Sequence, residues 1–415
     1  MARFRIPALL RDGNFTRYLI GSSVSTLGSG MSTVALAFAV LGMGGVTDLG
    51  IVLLAREVPL IVFVLLGGVF ADRIRRRTIL VSTDLVKALT QGLTAVLFFS
   101  GHADLLTVVV LQVIFGTANA FEGPAQTGLV REVASSESLQ EANALLHLSS
   151  SVFNIVGPAL GALIVAAGSP ALALAIYAAS FLVSATLTLS LRLAGVVRMT
   201  GTSVLVELRG GWHEFIDRRW AVAMVISFGL FQLTFFPALN VLGPSVAQTQ
   251  LGGPATWGLM LALQSVGAVV GGVVSLHLKV ARPLVACQLF VVPSGLLLVG
   301  LAVPLPVPLL VLISAAVGFG FAAGGTYWIT ALQQNVPEHA LSRISSFDWL
   351  GSVAFNPIGY ALIGPLATTI GTSQALVACG VINVMVAVGV TFVPSVRRIR
   401  MVTASAQPEI SARSV

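Results

Sequence analysis

Five ionisable residues lie within long apolar runs of the sequence, where a charged side chain is costly unless it has a partner or a function. They are Arg56, Glu57, Asp84, Lys87 and Glu122. A carboxyl group in apolar surroundings favours its protonated form, and it can release the proton when those surroundings become polar. Carboxylates at these positions could therefore bind and release protons inside a membrane protein.

Glu122 is the leading candidate for such a proton site. In "NAFEGPAQ" it lies nine residues before Arg131, roughly 13 Å along a helix, and no basic residue lies within one helical turn of it. The alternative is a structural carboxylate that pairs with a neighbouring helix, for instance through Arg56. Asp84 and Lys87 are three residues apart, so we expect them to form an ion pair on one helix face.

Arg56 and Glu57 are adjacent, so they point to different faces of a helix, and Arg56 can serve a partner elsewhere. Amides and aromatic side chains in the other apolar runs are further candidates for a substrate site. Such a lining suits a bulky lipophilic or amphipathic solute better than a sugar or a phosphate, which need more hydrogen-bonding groups or buried cations. These candidates are Gln112, Asn119, Asn154, Phe231, Gln232, Phe235, Asn240, Gln264, Trp328, Trp349 and Asn383.

The elements that must position these residues are transmembrane helices. Of the 415 residues, 56% are hydrophobic and only 9% are charged, against about 25% charged residues in ordinary soluble domains. The apolar runs are continuous rather than alternating, which favours helices over a membrane β-barrel. At about 20 residues for each crossing, twelve spans are expected, near residues 16–41, 50–71, 78–99, 105–130, 140–167, 171–193, 221–245, 255–277, 283–303, 307–333, 344–369 and 373–394.

The basic residues mark one side of the predicted membrane protein. Arginines occur in the N-terminal tail, in the 73–77 cluster, in the 194–219 connection and after the last span, whereas the alternate loops contain neither lysine nor arginine. By the positive-inside rule, both termini and the 194–219 connection are cytoplasmic. The same asymmetry accounts for the net charge of +7, so we expect lipid and not nucleic acid as a partner.

The predicted spans fall into two sets of six. Residues 1–193 and 220–394 each contain six of them. The connection 194–219 has apolar residues at helical spacing beside charges, which predicts an amphipathic helix on the inner membrane surface. The tail 395–415 is polar and rich in small residues, and we expect it to be disordered.

The two sets of spans are related in sequence. "NIVGPALGALI" in the fifth span parallels "AFNPIGYALIG" in the eleventh, and Pro158 matches Pro357. Gly68 and Gly272 are separated by an offset of 204 that also relates the starts of the first and seventh spans. Two parallel six-span halves are an architecture of secondary transporters, whose substrate site lies between the halves at mid-membrane.

The stretch "GGVFADRIRRRTIL" between the second and third spans resembles the signature of the major facilitator superfamily, G-x-x-x-D-R-x-G-R-R. Gly68, Asp72, Arg73, Arg76 and Arg77 fit it, while an arginine replaces the usual central glycine. "GTANAFEGPAQTGLVREV" and "RISSFDWLGSVAFNPIGYALIGPLA" are similar to the branch that contains macrolide and siderophore exporters. The resemblance covers nearly the whole chain and implies an all-α membrane fold of twelve helices in two pseudo-symmetric halves.

The resemblance also implies a gate. In this family the aspartate at the position of Asp72 interacts with the N-terminus of the eleventh span and holds the cytoplasmic side shut, as the helix dipole allows. Arg73 and Arg76 could pair with acids at neighbouring helix ends, Glu132 or Asp348. The alternative role for the arginines of this stretch is to fix topology and bind lipid phosphates.

The sequence departs from the family's antiporter patterns in the fourth and fifth spans. Gln112 stands four residues before Gly116, where proton-coupled drug antiporters often have an arginine, so that route to coupling is in doubt. Gly157, Pro158 and Gly161 retain part of the fifth-span motif. They predict close helix packing that could seal the protein against proton leak, and simple packing is the alternative.

The sequence therefore predicts a monomeric exporter of the cytoplasmic membrane that moves a drug-like solute outward in exchange for protons. It predicts no enzymatic activity, cofactor or metal, because neither a nucleotide-binding motif nor a catalytic or metal-binding cluster occurs. Two alternatives stay open: a facilitator-type importer or uniporter with the same fold, and a transport-inactive membrane sensor or scaffold.

Overall fold

The computed structural model describes residues 8–134, 138–193, 215–278, 280–303 and 305–401, and within these ranges it contains helices and no strand. Side chains are described there except at residues 8, 64–73, 124, 140, 338–343, 346 and 349. Most of the predicted amphipathic connection, 194–214, and the tail from residue 402 lie outside the described residues.

The first half consists of α1 Gly13–Met43, α2 Val46–Arg73, α3 Arg76–Ser100, α4 Leu105–Val133, α5 Leu139–Ala166 and α6 Pro170–Leu189. Local sequence signals set several of the helix ends. Asp12 caps α1 by accepting hydrogen bonds from the backbone N–H groups of Asn14 and Phe15, and Asp104 caps α4 in the same manner. α3 ends at Gly101, whose φ of 69° lies in the left-handed region.

The second half consists of α7 Arg219–Pro237, α8 Gly243–Gln250, α9 Pro254–His277, α10 Pro283–Ala302, α11 Val307–Asn335, α12 Glu338–Val353, α13 Asn356–Ile370, α14 Thr372–Val390 and the short α15 Pro394–Arg398. A π-helical turn, Ala238–Leu242, joins α7 to α8, so that 219–250 forms one long helical segment.

The predicted membrane-spanning architecture is confirmed. Eleven helical segments of the described chain are long and apolar enough to cross a membrane, and α2 with 28 residues is the twelfth. The predicted eleventh span is divided into α12 and α13, because Pro357 in the first turn of α13 cannot continue the preceding helix. α15 lies at the start of the predicted tail, and Val396 of this helix is buried in the second half.

The outer surface of the bundle is apolar. Leu89, Leu163 and Leu312 are 64%, 62% and 66% exposed, whereas Asp84 and Lys87 are 4% and 1% exposed. Leucines exposed to this degree beside buried charges invert the pattern of a water-soluble protein. The chain is therefore a multi-pass membrane protein whose outer surface faces lipid.

The two halves contact each other through α5 with α9 and through α2 with α13. Glycines allow the helices to approach: a Cβ on Gly258 would lie 3.0 Å from the carbonyl oxygen of Pro158, and one on Gly50 would lie 2.9 Å from that of Tyr360. These contacts lie near the helix ends opposite the arginine-bearing loops. We call the side where α2 ends and α3 begins, near Arg75, the basic side, and the other the far side.

Candidate functional site

A charged cluster is buried inside the first half. Lys87 of α3 forms an ion pair with Glu122 Oε2 of α4, and Gln126 Nε2 donates a hydrogen bond of 2.8 Å to Glu122 Oε1. The side chain of Lys87 is 2% exposed and that of Glu122 is 17% exposed. The cluster thus joins two helices across the interior of the half.

This geometry corrects two predictions. Lys87 pairs with Glu122 and not with Asp84, and Glu122 is neither isolated nor paired with Arg56. The Asp84–Lys87 pair is predicted from the spacing of three residues, which brings two side chains together on one helix face. The lysine stem is long enough to reach the adjacent helix instead, and spacing along one helix carries no information about that neighbour.

Asp84 completes the cluster, and it lines a small polar cavity of about 210 Å³ together with Glu122. Its carboxylate is next to Ser184 of α6, and the nearest charges are Glu122 and Lys87. Hydroxyl groups of three helices, α1, α5 and α6, also line this cavity: Tyr18, Ser22, Ser25, Thr26, Ser29, Ser150, Ser184 and Thr188. The two carboxylates are therefore surrounded by groups that can exchange hydrogen bonds with them.

A second polar cavity, of about 330 Å³, continues from the first toward the basic side. Both cavities are lined by Tyr18, Ser22, Gln126 and Ser150. The second one is also lined by His147 of α5 and by Arg131 near the end of α4. Polar side chains therefore line a route from Glu122 to the basic side within the first half.

Phe115 lies between the buried cluster and the interface of the two halves. Lys87 Nζ is 5.7 Å from the centre of its ring, and the Arg56 guanidinium carbon is 4.4 Å from the same point. Both distances are within the range of cation–π attraction. Arg56 thus partners an aromatic ring rather than the carboxylate of Glu122.

A cavity of about 1,040 Å³ lies between the halves, and we call it the central cavity. Its lining extends from Thr33 and Asn240 toward the basic side, as far as Leu276 in the last turn of α9. Asn154 and Arg56 also line it, and Ser265 donates a hydrogen bond of 2.9 Å to the backbone oxygen of Asn154. The structure therefore brings Arg56, Asn154 and Asn240 together around one central cavity.

A smaller cavity of about 200 Å³ lies beside the central cavity. It is lined by Glu57, Arg56 and Asn240, and the Asn240 amide donates a 2.8 Å hydrogen bond to the hydroxyl group of Tyr360. Glu57 therefore faces the contact between α2 and α13, where the halves meet. It does not join the Lys87–Glu122 cluster.

An aromatic pocket of about 400 Å³ lies within the second half. It is lined by Gln232, Trp328 and Asn383, which the sequence analysis names as substrate-site candidates. Asp348, which it does not name as one, also lines the pocket. We expected Asp348 only as a partner of the signature arginines. Its position four residues before Ser352, within a run of apolar and aromatic residues, was a signal that could have identified it as a pocket residue.

Gln112 is fully buried in α4, with 0% of its surface exposed. Neither its Oε1 nor its Nε2 atom has a hydrogen-bond partner among the described residues. It lines none of the five cavities considered above. Nothing in the structure explains this buried amide.

The signature stretch is only partly described. Gly68, Asp72 and Arg73 belong to α2, but their side chains lie outside the described part of the structure. Arg76 forms a 3.0 Å ion pair with Glu132 and donates a 3.1 Å hydrogen bond to the Gly128 carbonyl.

Arg77 binds backbone carbonyls at the end of α6. Its guanidinium donates to the carbonyl oxygens of Leu189 and Leu191. Together with Arg76, it fastens the start of α3 to the basic-side ends of α4 and α6.

The fifth-span motif packs against α1. A Cβ on Gly157 would lie 2.9 Å from the Cα of Gly30, and one on Gly161 would lie 2.7 Å from the Cα of Met31. Pro158 is buried within the same helix. Its sequence counterpart Pro357 instead begins a helix, so the two prolines occupy different structural positions.

Comparisons with known sequences place the chain among transporters. The sequence model of the Major Facilitator Superfamily matches residues 18–353. The multidrug efflux pump Tap of Mycolicibacterium fortuitum is 27% identical over 412 residues, which cover 94% of this chain and 98% of Tap. The enterobactin exporter EntS of Escherichia coli O81 is 26% identical over 336 residues, which cover 78% of this chain and 79% of EntS.

Solved structures with the same fold include a variant of the nucleoside transporter NupG, with a TM-score of 0.76 and 14% identity over 91% of this chain and 99% of NupG. A bacterial homologue of the human lysosomal transporter Spinster matches with a TM-score of 0.68 and 13% identity, and the match covers 93% of this chain and 98% of that protein. At these identities the likeness concerns the fold alone.

Proposed function

Because this chain belongs to the Major Facilitator Superfamily, we propose that it exports lipophilic or amphipathic small molecules from the cell in exchange for protons. The similarity to a multidrug efflux pump over nearly the full length of both chains supports the direction and the cargo class. The apolar lining of the central cavity suits a cargo of this kind.

One observation supports the proposed proton coupling: the three charged groups of the buried cluster in the first half do not cancel. Asp84 and Glu122 contribute two negative charges and Lys87 one positive charge, so the cluster has a net charge of −1 when both acids are ionised. Uncompensated charge within a membrane protein is costly. One bound proton would make the cluster neutral, and the polar cavities around Gln126 offer that proton a route to the basic side.

The proposed orientation follows from the basic residues. By the positive-inside rule the basic side is cytoplasmic, so the central cavity opens to the cytoplasm, where an exporter collects its cargo. Export requires the halves, 1–193 and 220–394, to close on the basic side and open on the far side. Gly68, Asp72 and Arg73 are the proposed gate of that closure, and 194–219 is the tether between the halves.

The proposed link between cargo and proton is the ring of Phe115. Arg56 lines the central cavity and Lys87 belongs to the charged cluster, and both cations approach this one ring. A cargo that displaces Arg56 would change the surroundings of Phe115 and therefore of Lys87. Proton affinity at Glu122 and Asp84 then depends on whether cargo is bound.

Transport by purified protein in liposomes tests the proposal. We expect an imposed pH gradient to drive accumulation of a fluorescent lipophilic drug, with protons moving in the opposite direction, and a protonophore to abolish accumulation. Equal drug movement with and without the gradient would instead identify a uniporter. Protein that moves no drug at all, but binds a partner through residues 194–219, would identify a sensor or scaffold.

A further inference from the structure

The aromatic pocket of the second half has the size and composition of a ligand site. Its volume of about 400 Å³ lies within the range of roughly 300–1,000 Å³ that is common for drug-sized ligands. Side chains of α7, α10, α11, α12 and α14 surround it. Five aromatic residues supply much of its lining: Phe228, Phe231, Phe236, Phe321 and Trp328.

The aromatic rings are held at fixed angles by edge-to-face contacts. Phe228 and Trp328 have ring centres 5.2 Å apart at 81°, and Phe231 and Phe321 have centres 5.5 Å apart at 90°. Rings packed in this manner keep a defined orientation. Aromatic π-systems attract organic cations, most strongly where water is excluded.

Asp348 adds a negative charge to the pocket. Its Oδ2 atom accepts a 2.8 Å hydrogen bond from the indole N–H of Trp328. In the part of the chain whose side chains are described, no lysine, arginine or histidine lines the pocket and Asp348 forms no ion pair. The carboxylate charge is therefore not neutralised by a cation of the described residues.

The amides of the pocket differ in their hydrogen bonding. Gln288 is bonded to Ser227 and Met224, and Asn383 is bonded to Ser294 and Thr234. In contrast, the Oε1 atom of Gln232 has no partner among the described residues. The features of the pocket that select charge are therefore the π-faces and the Asp348 carboxylate, which together favour a cation.

From these contacts we infer that the aromatic pocket binds a lipophilic organic cation, with Asp348 as its counter-charge. The inference rests on the proposed export function, whose cargo class it narrows. Phe236 and Phe321 line both this pocket and the central cavity, so a cation can enter from that cavity. An anion of the same shape meets the same rings but is repelled by the carboxylate.

Two ions of matched shape provide the test: tetraphenylphosphonium, a cation, and tetraphenylborate, an anion. Their binding to the purified full-length protein in detergent is measured without any pH gradient. We expect the wild-type protein to favour the cation and Asp348→Asn to lower the cation-to-anion affinity ratio roughly tenfold, as expected when a buried charge partner is lost. Glu141→Gln, at an exposed carboxylate in the first turn of α5, should keep the wild-type ratio.

A steric variant tests the location of the site independently of charge. A Cβ on Gly325 would meet nothing within 4 Å, although this residue lines the pocket. Gly325→Phe should therefore fill the pocket and weaken binding of both ions, whereas Gly389→Phe, also in open space but outside the pocket, should not. This pair keeps the inference testable if Asp348→Asn fails to fold.

Three results would overturn the inference. They are equal wild-type affinity for both ions, an unchanged ratio in Asp348→Asn, and full binding in Gly325→Phe. None of them depends on proton coupling, because no gradient is applied. Conversely, a wild-type protein that prefers the cation but shows no gradient-driven transport would contradict the proposed function and still support the cation site.

Discussion

The two halves of this bundle enclose opposite kinds of pocket. The first half holds a small cavity of about 210 Å³ with two carboxylates, a lysine and many hydroxyl groups. The second half holds a cavity of about 400 Å³ that is lined mainly by apolar residues, five of them aromatic, and carries one carboxylate, Asp348. One interior is polar and narrow, and the other is apolar and roomy.

This difference suggests a division of labour between two halves of shared architecture. The cavity around Asp84 and Glu122 is polar and, at about 210 Å³, smaller than the roughly 300–1,000 Å³ that is common for drug-sized ligands. The second-half pocket is apolar and, at about 400 Å³, can enclose such a ligand. We propose that the first half couples transport to protons and that the second half selects the cargo. Their shared boundary is the central cavity, where Arg56 approaches Phe115.

The largest effect is expected from Asp84→Asn, which removes one of the two carboxylates from the polar cavity of the first half. The variant leaves Lys87 and Glu122 as a neutral pair, so the cluster no longer needs a proton to balance its charge. We expect drug accumulation driven by a pH gradient to fall to the level of protein-free liposomes. Glu141→Gln is the matched control, and accumulation by Asp84→Asn at the wild-type level would contradict the coupling role.

Lys87→Met should destabilise the first half by about 3–5 kcal/mol, because it leaves buried carboxylates without their cation. The double variant Lys87→Met/Glu122→Gln removes both members of the pair and should recover most of that loss. It also leaves Asp84 with a charge of −1, so the double variant should still couple transport to protons in part. Thermal unfolding in detergent measures the stability, and a double variant no more stable than the single one would refute this account.

Phe115→Leu tests the link between the two pockets. Removal of the ring takes away the shared contact of Arg56 and Lys87, so cargo and proton should become less strongly coupled. We expect the ratio of gradient-driven to undriven transport to fall roughly tenfold. Phe99→Leu, at a ring that is 58% exposed on the outer surface, is the control, and equal ratios in both variants would count against the link.

The smallest effect is expected from Arg76→Gln on the basic side. The Arg76–Glu132 pair is partly exposed, at 26% and 22%, and pairs of this kind contribute less than about 1 kcal/mol. We therefore expect a small decrease in melting temperature compared with that of Lys87→Met. A decrease as large as that of Lys87→Met would show that burial does not distinguish the two ion pairs.

The sequence predicted the fold well because the governing signals are local. Long apolar runs require helices, and arginines recur at alternate loops, so the number of membrane spans can be inferred without knowledge of any contact. The exception is the break before Pro357. The proline is a signal for this break, but the apolar run continues through it and therefore predicts one unbroken span.

The candidate site was harder to predict because its contacts connect different helices. The spacing of Asp84 and Lys87 suggested a pair, yet Lys87 binds Glu122 on the next helix. The position of Asp348 in the aromatic pocket is hard to predict for a related reason: the rings of that pocket come from α7 and α11, not from its own helix. Sequence periodicity reveals which residues are costly to bury, but not which of them meet.

The most direct test of the central claim compares Asp84→Asn and Asp348→Asn in one liposome assay that records tetraphenylphosphonium and internal pH together. The account predicts opposite defects. Asp84→Asn should bind and exchange the cation without moving protons, whereas Asp348→Asn should bind it weakly and still move protons with whatever cargo it carries. The same defect in both variants, with proton movement and cation binding lost in parallel, would contradict the division between the halves.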